Sequence, residues 1–210
     1  EKQIADLEGK IEELRHLSSG NDINIAEEIG KLQFTVSEKL KSTYSKLSPW
    51  QKVLVSRHPE RPHFQDIIQN LFEEYIPLSG DRNFSDDNAL TGGTAFFKGR
   101  SVVLIGIDKG KNTQDRIHKN FGMTRPEGYR KAERLMQLAN DFSIPVLMFV
   151  DTAGAYPGKG AEQRGQAEAI AKCLQKSLEI TVPSISVITG EGGSGGAVAL
   201  AVANNTLMLE

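Results

Sequence analysis

The sequence predicts an α/β fold in which parallel strands alternate with helices, behind an N-terminal helical region. Three observations carry this expectation. Strand, helix, strand, helix and strand patterns succeed one another along the second half of the chain. The stretch IPVLMFV, residues 144–150, is apolar throughout, as a strand covered on both faces must be. Five glycines, at positions 190, 192, 193, 195 and 196, separate the strand-like PSISVIT from a run of small apolar residues.

From the N-terminus, Ile4, Leu7, Ile11 and Leu14 form one apolar stripe at helical spacing. The polar SSGND, residues 18–22, ends that helix, and helical patterns resume over residues 25–47. Pro49 and Pro62 suit the first turns of two further helices, WQKVLVSRH and HFQDIIQNLFEEY. Residues 1–75 are therefore expected to be a helical region and residues 76–210 an α/β domain. In the second part, SGDRNFSDD (79–87) is a polar loop whose Asp86 and Asp87 are turn formers. GGTAFF, KGR and SVVLIGID read as a hairpin turning at Lys98-Gly99-Arg100. A basic polar loop spans residues 109–125, and Pro126 introduces the helix EGYRKAERLMQLANDF. After strand 144–150 comes the loop DTAGAYPGKG, then one helix through EQRGQAEAIAKCLQK, strand PSISVIT, the glycine cluster, a short helix and strand TLMLE. Parallel βαβ units with right-handed crossovers follow from this order.

A length of 210 residues allows one good core with an appendage. The net charge of −2 and a pI near 6.2 weigh against nucleic-acid or anionic-membrane binding. Cys173 is the single cysteine, which leaves no disulfide framework and no cysteine-based zinc site, and fits a reducing, cytoplasmic-type compartment. No apolar run approaches a membrane span, and the charged start does not resemble a signal peptide. The chain starts at Glu1 and stops directly after TLMLE, so the fold is expected to continue past the printed residues.

The glycine cluster fits three familiar patterns incompletely. Gly190-x-Gly192-x-x-Gly195 matches a dinucleotide fingerprint, with Glu210 placed to bind a ribose, but it arrives after two earlier strand–helix passes and opens a short helix. An NAD(P)-dependent oxidoreductase is the rival reading built on it. Gly192-x-Ser194-x-Gly196 matches a nucleophile elbow, yet all four histidines, at 16, 58, 63 and 118, precede Ser194, where that mechanism places its base downstream. DTAGAYPGKG fails as a phosphate loop at both ends, with Ala153 and Gly160 in place of Gly and Ser or Thr.

Glycines at the start of a helix allow something simpler. Without Cβ atoms, successive amides can point one way and be closely approached, and the unpaired N–H groups of the first turn add to them. The product is a receptor for an oxyanion, in which one well-placed donor is worth ~3–4 kcal/mol in a transition state. The alternative is that the glycines only permit close helix–sheet packing.

Four segments, GDRNFSDDNALTGGTAFFKGR, NFGMTRPEGYRKAERLMQLA, DTAGAYPGKGAEQRGQAEAIA and GEGGSGGAVALAVA, together resemble the carboxyltransferase α subunits of bacterial and plastid acetyl-CoA carboxylase. The resemblance runs from LSPWQ at residue 47 to the end, and departs at Ala153, where the family usually carries Pro. It implies a crotonase-like fold, a spiral of ββα units with oxyanion holes at helix N-termini, incomplete here at its C-terminal end. It implies transfer of a carboxyl group from carboxybiotin, borne on a biotin carboxyl carrier protein, to acetyl-CoA, giving malonyl-CoA for fatty acid synthesis. It also implies a β subunit in an α2β2 assembly, with zinc in that subunit and no metal in this chain. A biotin carboxylase partner and a cytoplasmic or plastid location complete the picture. A non-catalytic scaffold of the same fold is the rival from another class.

Under this resemblance, the amides around Gly192, Gly193, Gly195 and Gly196 receive the biotin ureido oxygen, with Gly195 and Gly196 favoured as nearest the helix start. Gly154, Ala155 and Tyr156 shape the biotin or acyl pocket, with a locally satisfied core tyrosine as the alternative for Tyr156. Lys109, Lys111, Arg116 and Arg125, with Lys119 beside them, are candidates for coenzyme A phosphates, interrupted by Asp108 and Asp115. Glu162, Arg164 and Gln166 are expected as an exposed first turn.

Overall fold

The computed structural model describes residues 2–17 and 23–208. They form two compact units, residues 1–52 and 53–210. In the first, α1 (Lys2–Leu17) and α2 (Ile23–Tyr44) pack through Ile4, Ile11 and Val36, so the apolar stripe read from the sequence is the contact face. The break at SSGND lies outside the described residues. Helix α3 (Pro49–Ser56) spans the boundary and starts with a reciprocal cap. The Ser48 amide donates to the Gln51 side chain (2.8 Å) and the Gln51 amide to the Ser48 hydroxyl (3.3 Å), with Pro49 in the first turn.

The second unit is one six-stranded sheet in the order β1 to β6. Helix α4 (Phe64–Leu71) ends where β1 (Glu73–Pro77) begins. HFQDIIQNLFEEY is thus not all helix: Phe72 leaves helical geometry, and Ile76 and Pro77 pair antiparallel with Thr94 and Gly93 of β2. The boundary expected at residue 75 therefore falls inside a strand. Phe64 and Ile68 of α4 are buried with Ala95, Val102, Leu104 and Phe149 of the sheet, which keeps α4 with the second unit.

Strands β2 (Leu90–Phe97) and β3 (Arg100–Ile107) form the expected hairpin, closed by Phe97 opposite Arg100. Lys98 and Gly99 both have positive φ (50° and 74°), which a two-residue turn matching strand twist requires. Within residues 109–125, expected as loop, lie α5 (Thr113–His118), capped by the Asn112 side chain, and a 3-10 turn at Asn120–Gly122.

Helix α6 (Pro126–Asp141) leads into β4 (Val146–Thr152), which runs parallel to β3 and starts and ends two residues later than the apolar run suggests. The single helix expected through EQRGQAEAIAKCLQK is two, α7 (Lys159–Gln163) and α8 (Gln166–Glu179), because Gly165 takes a left-handed conformation (φ 77°) between them. Strand β5 (Ser184–Gly192), α9 (Ser194–Ala201) and β6 (Asn205–Met208) follow, with β3 through β6 parallel. Val103, Ile105, Met148 and Val150 face a core closed by α6, α8 and α9, while Val102, Leu104 and Phe149 face α4. This two-sided cover is why β4 is apolar at nearly every position.

Candidate active site

Parallel pairing brings the carboxyl ends of β3, β4 and β5 side by side, and the candidate site is built there. The β4–β5 ladder is irregular at this point. Val150 pairs with Ile188, but the next pair is Thr152 with Gly192, so Asp151 alone stands opposite Thr189, Gly190 and Glu191. The Asp151 carboxylate fills the bulge, with Oδ1 accepting from the Glu191 amide (2.8 Å) and ion-paired with Lys109 Nζ (2.6 Å). A Cβ on Gly190 would run into that carboxylate. Glu191 in turn binds Lys109 Nζ (2.7 Å) and Arg57 Nε (2.6 Å), and Arg61 donates to the Thr189 carbonyl (2.7 Å). Burial opposes ionisation of Glu191, but the hydrogen bonds from Lys109 and Arg57 outweigh it and hold its carboxyl below the ordinary value.

Just beyond the bulge, the Gly193 amide donates to the Thr152 carbonyl (2.9 Å), which fixes the entry to α9. Gly193 is therefore an anchor whose N–H is already engaged, so of the four glycine amides expected to receive an oxyanion, that of Gly193 is not free. Ala197 is the first α9 residue to bond back, to the Gly193 carbonyl (3.1 Å). Among the described residues, no acceptor meets the amides of Ser194, Gly195 and Gly196, as expected for a first helical turn. Ser194 is exposed with φ 59°, a left-handed conformation uncommon outside glycine. Gly196 is buried where a Cβ would lie 2.6 Å from the Ala155 nitrogen and 2.9 Å from the Tyr129 hydroxyl. At Gly195 it would meet only Ile170, at 3.8 Å.

Thr152 organises the loop over this helix start. Its buried hydroxyl lies 2.7 Å from the Gly122 carbonyl and accepts from the Gly154 amide (3.0 Å). Ala155 packs against the main core. The Tyr156 amide donates to the Thr124 carbonyl (3.0 Å), and its ring lies under the Arg125 guanidinium at 4.8 Å. The Gln166 side-chain amide holds both strands of this crossing, donating to the carbonyls of Thr124 (2.9 Å) and Tyr156 (3.0 Å). Gln166 is buried, and Arg164 pairs with the buried Glu127, so these two are structural ties and not an exposed turn. Glu162 alone of the three is exposed.

The basic candidates separate. Lys109 is buried between Asp151 and Glu191, and Lys111 contacts Asp66 (2.5 Å), while Lys119 bridges Asp108 (2.8 Å) and Asp115 (3.1 Å). These ammonium groups are already matched by carboxylates. Arg116 lies over the Phe121 ring at 5.9 Å, and Arg125, besides its contact with Tyr156, donates to Asn120 Oδ1 (3.1 Å). Asp86 and Asp87 are indeed loop formers: Asp86 accepts from the Gly80 and Asp87 amides and from Lys131. Asp87 is buried and accepts from the amides of Ala89 (3.1 Å) and Arg125 (2.9 Å). Burial nonetheless pushes its carboxyl from 3.8 up to about 6.

Sequence reasoning did not single out Asp151, Thr152, Glu191, Tyr129 or Arg57. Asp151 and Thr152 carried a signal, since both end a buried strand inside a quoted motif. The role of Arg57, 134 residues from Glu191, carried none. Of the fingerprint glycines, Gly190 serves the bulge, while Gly195 lies within α9, and Glu210 lies outside the described residues. Ser194 has no histidine partner among the described residues. Among those residues there is also no group of three His, Cys, Asp or Glu arranged to hold a metal ion, and no helix long and apolar enough to cross a membrane.

All of the chain, residues 1–210, matches the family described as acetyl co-enzyme A carboxylase carboxyltransferase-like. The chain belongs to this carboxyltransferase family. It is 60% identical, over its full length, to the acetyl-coenzyme A carboxylase carboxyl transferase subunits alpha of Paramagnetospirillum magneticum and of Rhodospirillum centenum, and 57% identical to that of Cereibacter sphaeroides. It spans 66% of the length of each of these relatives. Among solved structures it resembles transcarboxylase 12S with methylmalonyl-coenzyme A bound (TM-score 0.60, 22% identity, 71% of this chain and 28% of that one). It also resembles the P. aeruginosa geranyl-CoA carboxylase beta subunit (TM-score 0.55, 22% identity, 68% and 25%). The sheet and its helices thus form part of the crotonase-like fold.

Proposed function

We propose that this chain is the α-subunit portion of an acetyl-CoA carboxylase carboxyltransferase, which moves a carboxyl group from carrier-bound carboxybiotin to acetyl-CoA and yields malonyl-CoA. The observation that carries the reading is the unpartnered set of amides at Ser194, Gly195 and Gly196, held at the strand ends by the Gly193–Thr152 bond. Loss of the carboxyl group leaves negative charge on the biotin ureido oxygen, and these donors suit that charge without a titrating side chain. The receptor is Ser194–Gly196, with Gly193 as its anchor and Gly192 at its open edge.

Gly154, Ala155 and Tyr156 form the wall beside it, with Arg125 over the Tyr156 ring. Arg116 and Arg125 are the remaining candidates for an anionic part of coenzyme A, because Lys109 and Lys111 are ion-paired. A β subunit in an α2β2 assembly supplies the second oxyanion site and the zinc-bearing domain. A biotin carboxyl carrier protein and a biotin carboxylase complete the set of partners, in the cytoplasm of a bacterium. The bacterial relatives' name, carboxyl transferase subunit alpha, supports a partner subunit.

The test removes a donor without adding a side chain. Replacing Gly195 by glycolate, an amide-to-ester exchange, in the full-length subunit assembled with its β partner should lower kcat by roughly 10²–10³. Unchanged turnover in an intact assembly would rule out the receptor.

A further inference from the structure

The ion-paired bulge suggests a function for residues that the reaction does not touch. Lys109 follows β3, Asp151 lies in β4 and Glu191 in β5, so a single ammonium group ties the carboxyl ends of three adjacent parallel strands (2.6 Å to Asp151, 2.7 Å to Glu191). Its side chain is only 9% exposed, and those of Asp151 and Glu191 are 16% and 13% exposed, so water screens the cluster weakly. Arg57 balances the second carboxylate, which leaves two positive and two negative groups. The residues they hold, 189–191, stand together opposite Asp151, two more than a regular ladder would place there. Without them in this bulged path, Gly192 would not reach its pairing with Thr152, and the Gly193 amide would not meet the Thr152 carbonyl.

We propose that Lys109, Asp151 and Glu191 are positioning residues, an ionic clamp that locks the β5 bulge and so sets where the first-turn amides of α9 stand. This rests on the receptor reading given above. The clamp has no contact with the reacting atoms. It acts on geometry, and a displacement of about 1 Å in such a site costs on the order of 10²-fold in rate. A device tied to three strand ends also suits an oxyanion receptor, which works only if its dipoles do not reorganise as charge develops.

The test uses the full-length α subunit assembled with β and supplied with carboxylated carrier and acetyl-CoA. Lys109→Met removes the shared ammonium. Glu191→Gln keeps the shape and the backbone bond to Asp151 while removing the charge. Turnover is normalised to assembled complex, so that misfolded chain does not count. The expected result is a fall in kcat of about 100-fold for Lys109→Met and about tenfold for Glu191→Gln, where the amide NH2 cannot accept from Lys109 or Arg57 and one of the two charge-assisted bonds is lost. KM for carrier and for acetyl-CoA should stay within about twofold, because the binding surfaces are untouched.

If Lys109→Met does not assemble, Glu191→Gln decides alone. Wild-type kcat in assembled Glu191→Gln complex, or a loss confined to KM, overturns the clamp. The Gly195 ester separates the two claims: a silent ester removes the receptor reading itself. A damaging ester with a silent Glu191→Gln removes only the clamp.

Discussion

Two neighbouring glycines on one helix should respond oppositely to the same added methyl group. At Gly196, an alanine Cβ would sit 2.6 Å from the Ala155 nitrogen and 2.7 Å from the Gly154 carbonyl carbon. The first distance falls about 0.8 Å short of ordinary contact at 3.4 Å. The obstacle is backbone and cannot rotate aside. It belongs to a loop held by the Thr152 hydroxyl at Gly154 and by the Thr124 carbonyl at Tyr156. Overpacking of this kind costs about 1–3 kcal/mol. At Gly195 the methyl would meet Ile170 side-chain carbons at 3.8 and 4.0 Å, which is open contact. There, Gly→Ala in a helix should be neutral or stabilising by up to about 1 kcal/mol. The assay is thermal and urea unfolding of the two full-length variants beside the parent. Gly196→Ala should unfold earlier by several degrees, and Gly195→Ala at or above the parent temperature. Equal tolerance at the two sites would refute the claim that the Gly154–Ala155 loop rests on bare backbone at 196.

Two further outcomes can be checked in the same protein. Thr152→Val keeps the shape but leaves the Gly122 carbonyl and the Gly154 amide without their hydroxyl partner in a buried site, so unfolding should cost about 1–3 kcal/mol less than in the parent. A change under 0.5 kcal/mol by urea titration would show that the hydroxyl is dispensable. For Asp87, the folded carboxyl titrates near 6 against 3.8 when free, so the folded state holds the proton more tightly. Its contribution to stability is full below pH 3.8 and is lost as pH rises through 6. The cost of Asp87→Asn should therefore be larger at pH 4.5 than at pH 7 by about 2 kcal/mol. Other acids, such as Asp81 and Asp86 with lowered values, cancel between the two proteins. A cost that does not vary with pH would contradict the buried titration.

Local pattern made much of the fold legible. The β2–β3 hairpin announced itself through Lys98-Gly99-Arg100 between GGTAFF and SVVLIGID, and β4 through its unbroken apolar run. What stayed hidden was decided across the chain. FEEY continues a helical pattern by itself, and becomes a strand because β2 offers an edge to Ile76 and Pro77. Lys109 looks like any cation of a basic loop until the fold sets it against Glu191, 82 residues away. The resemblance to carboxyltransferases pointed to the start of α9, but it did not distinguish an amide that anchors from one that is free. That difference rests on the Thr152 carbonyl.

The glycines themselves divide once their surroundings are known. A side chain at 190 would strike the Asp151 carboxylate, at 193 the Ala153 backbone, and at 196 the Gly154–Ala155 backbone. Close packing is a sufficient reason for those three. It gives no reason for Gly192 or Gly195, where among the described residues no atom beyond the local backbone comes nearer than 3.4 Å to the missing carbon. Gly195 could be alanine with a gain in helix stability. On the proposed receptor reading, the open space at these two glycines, beside amides without an acceptor, is room for a ligand oxygen. An oxygen bearing charge is what those N–H groups can hold.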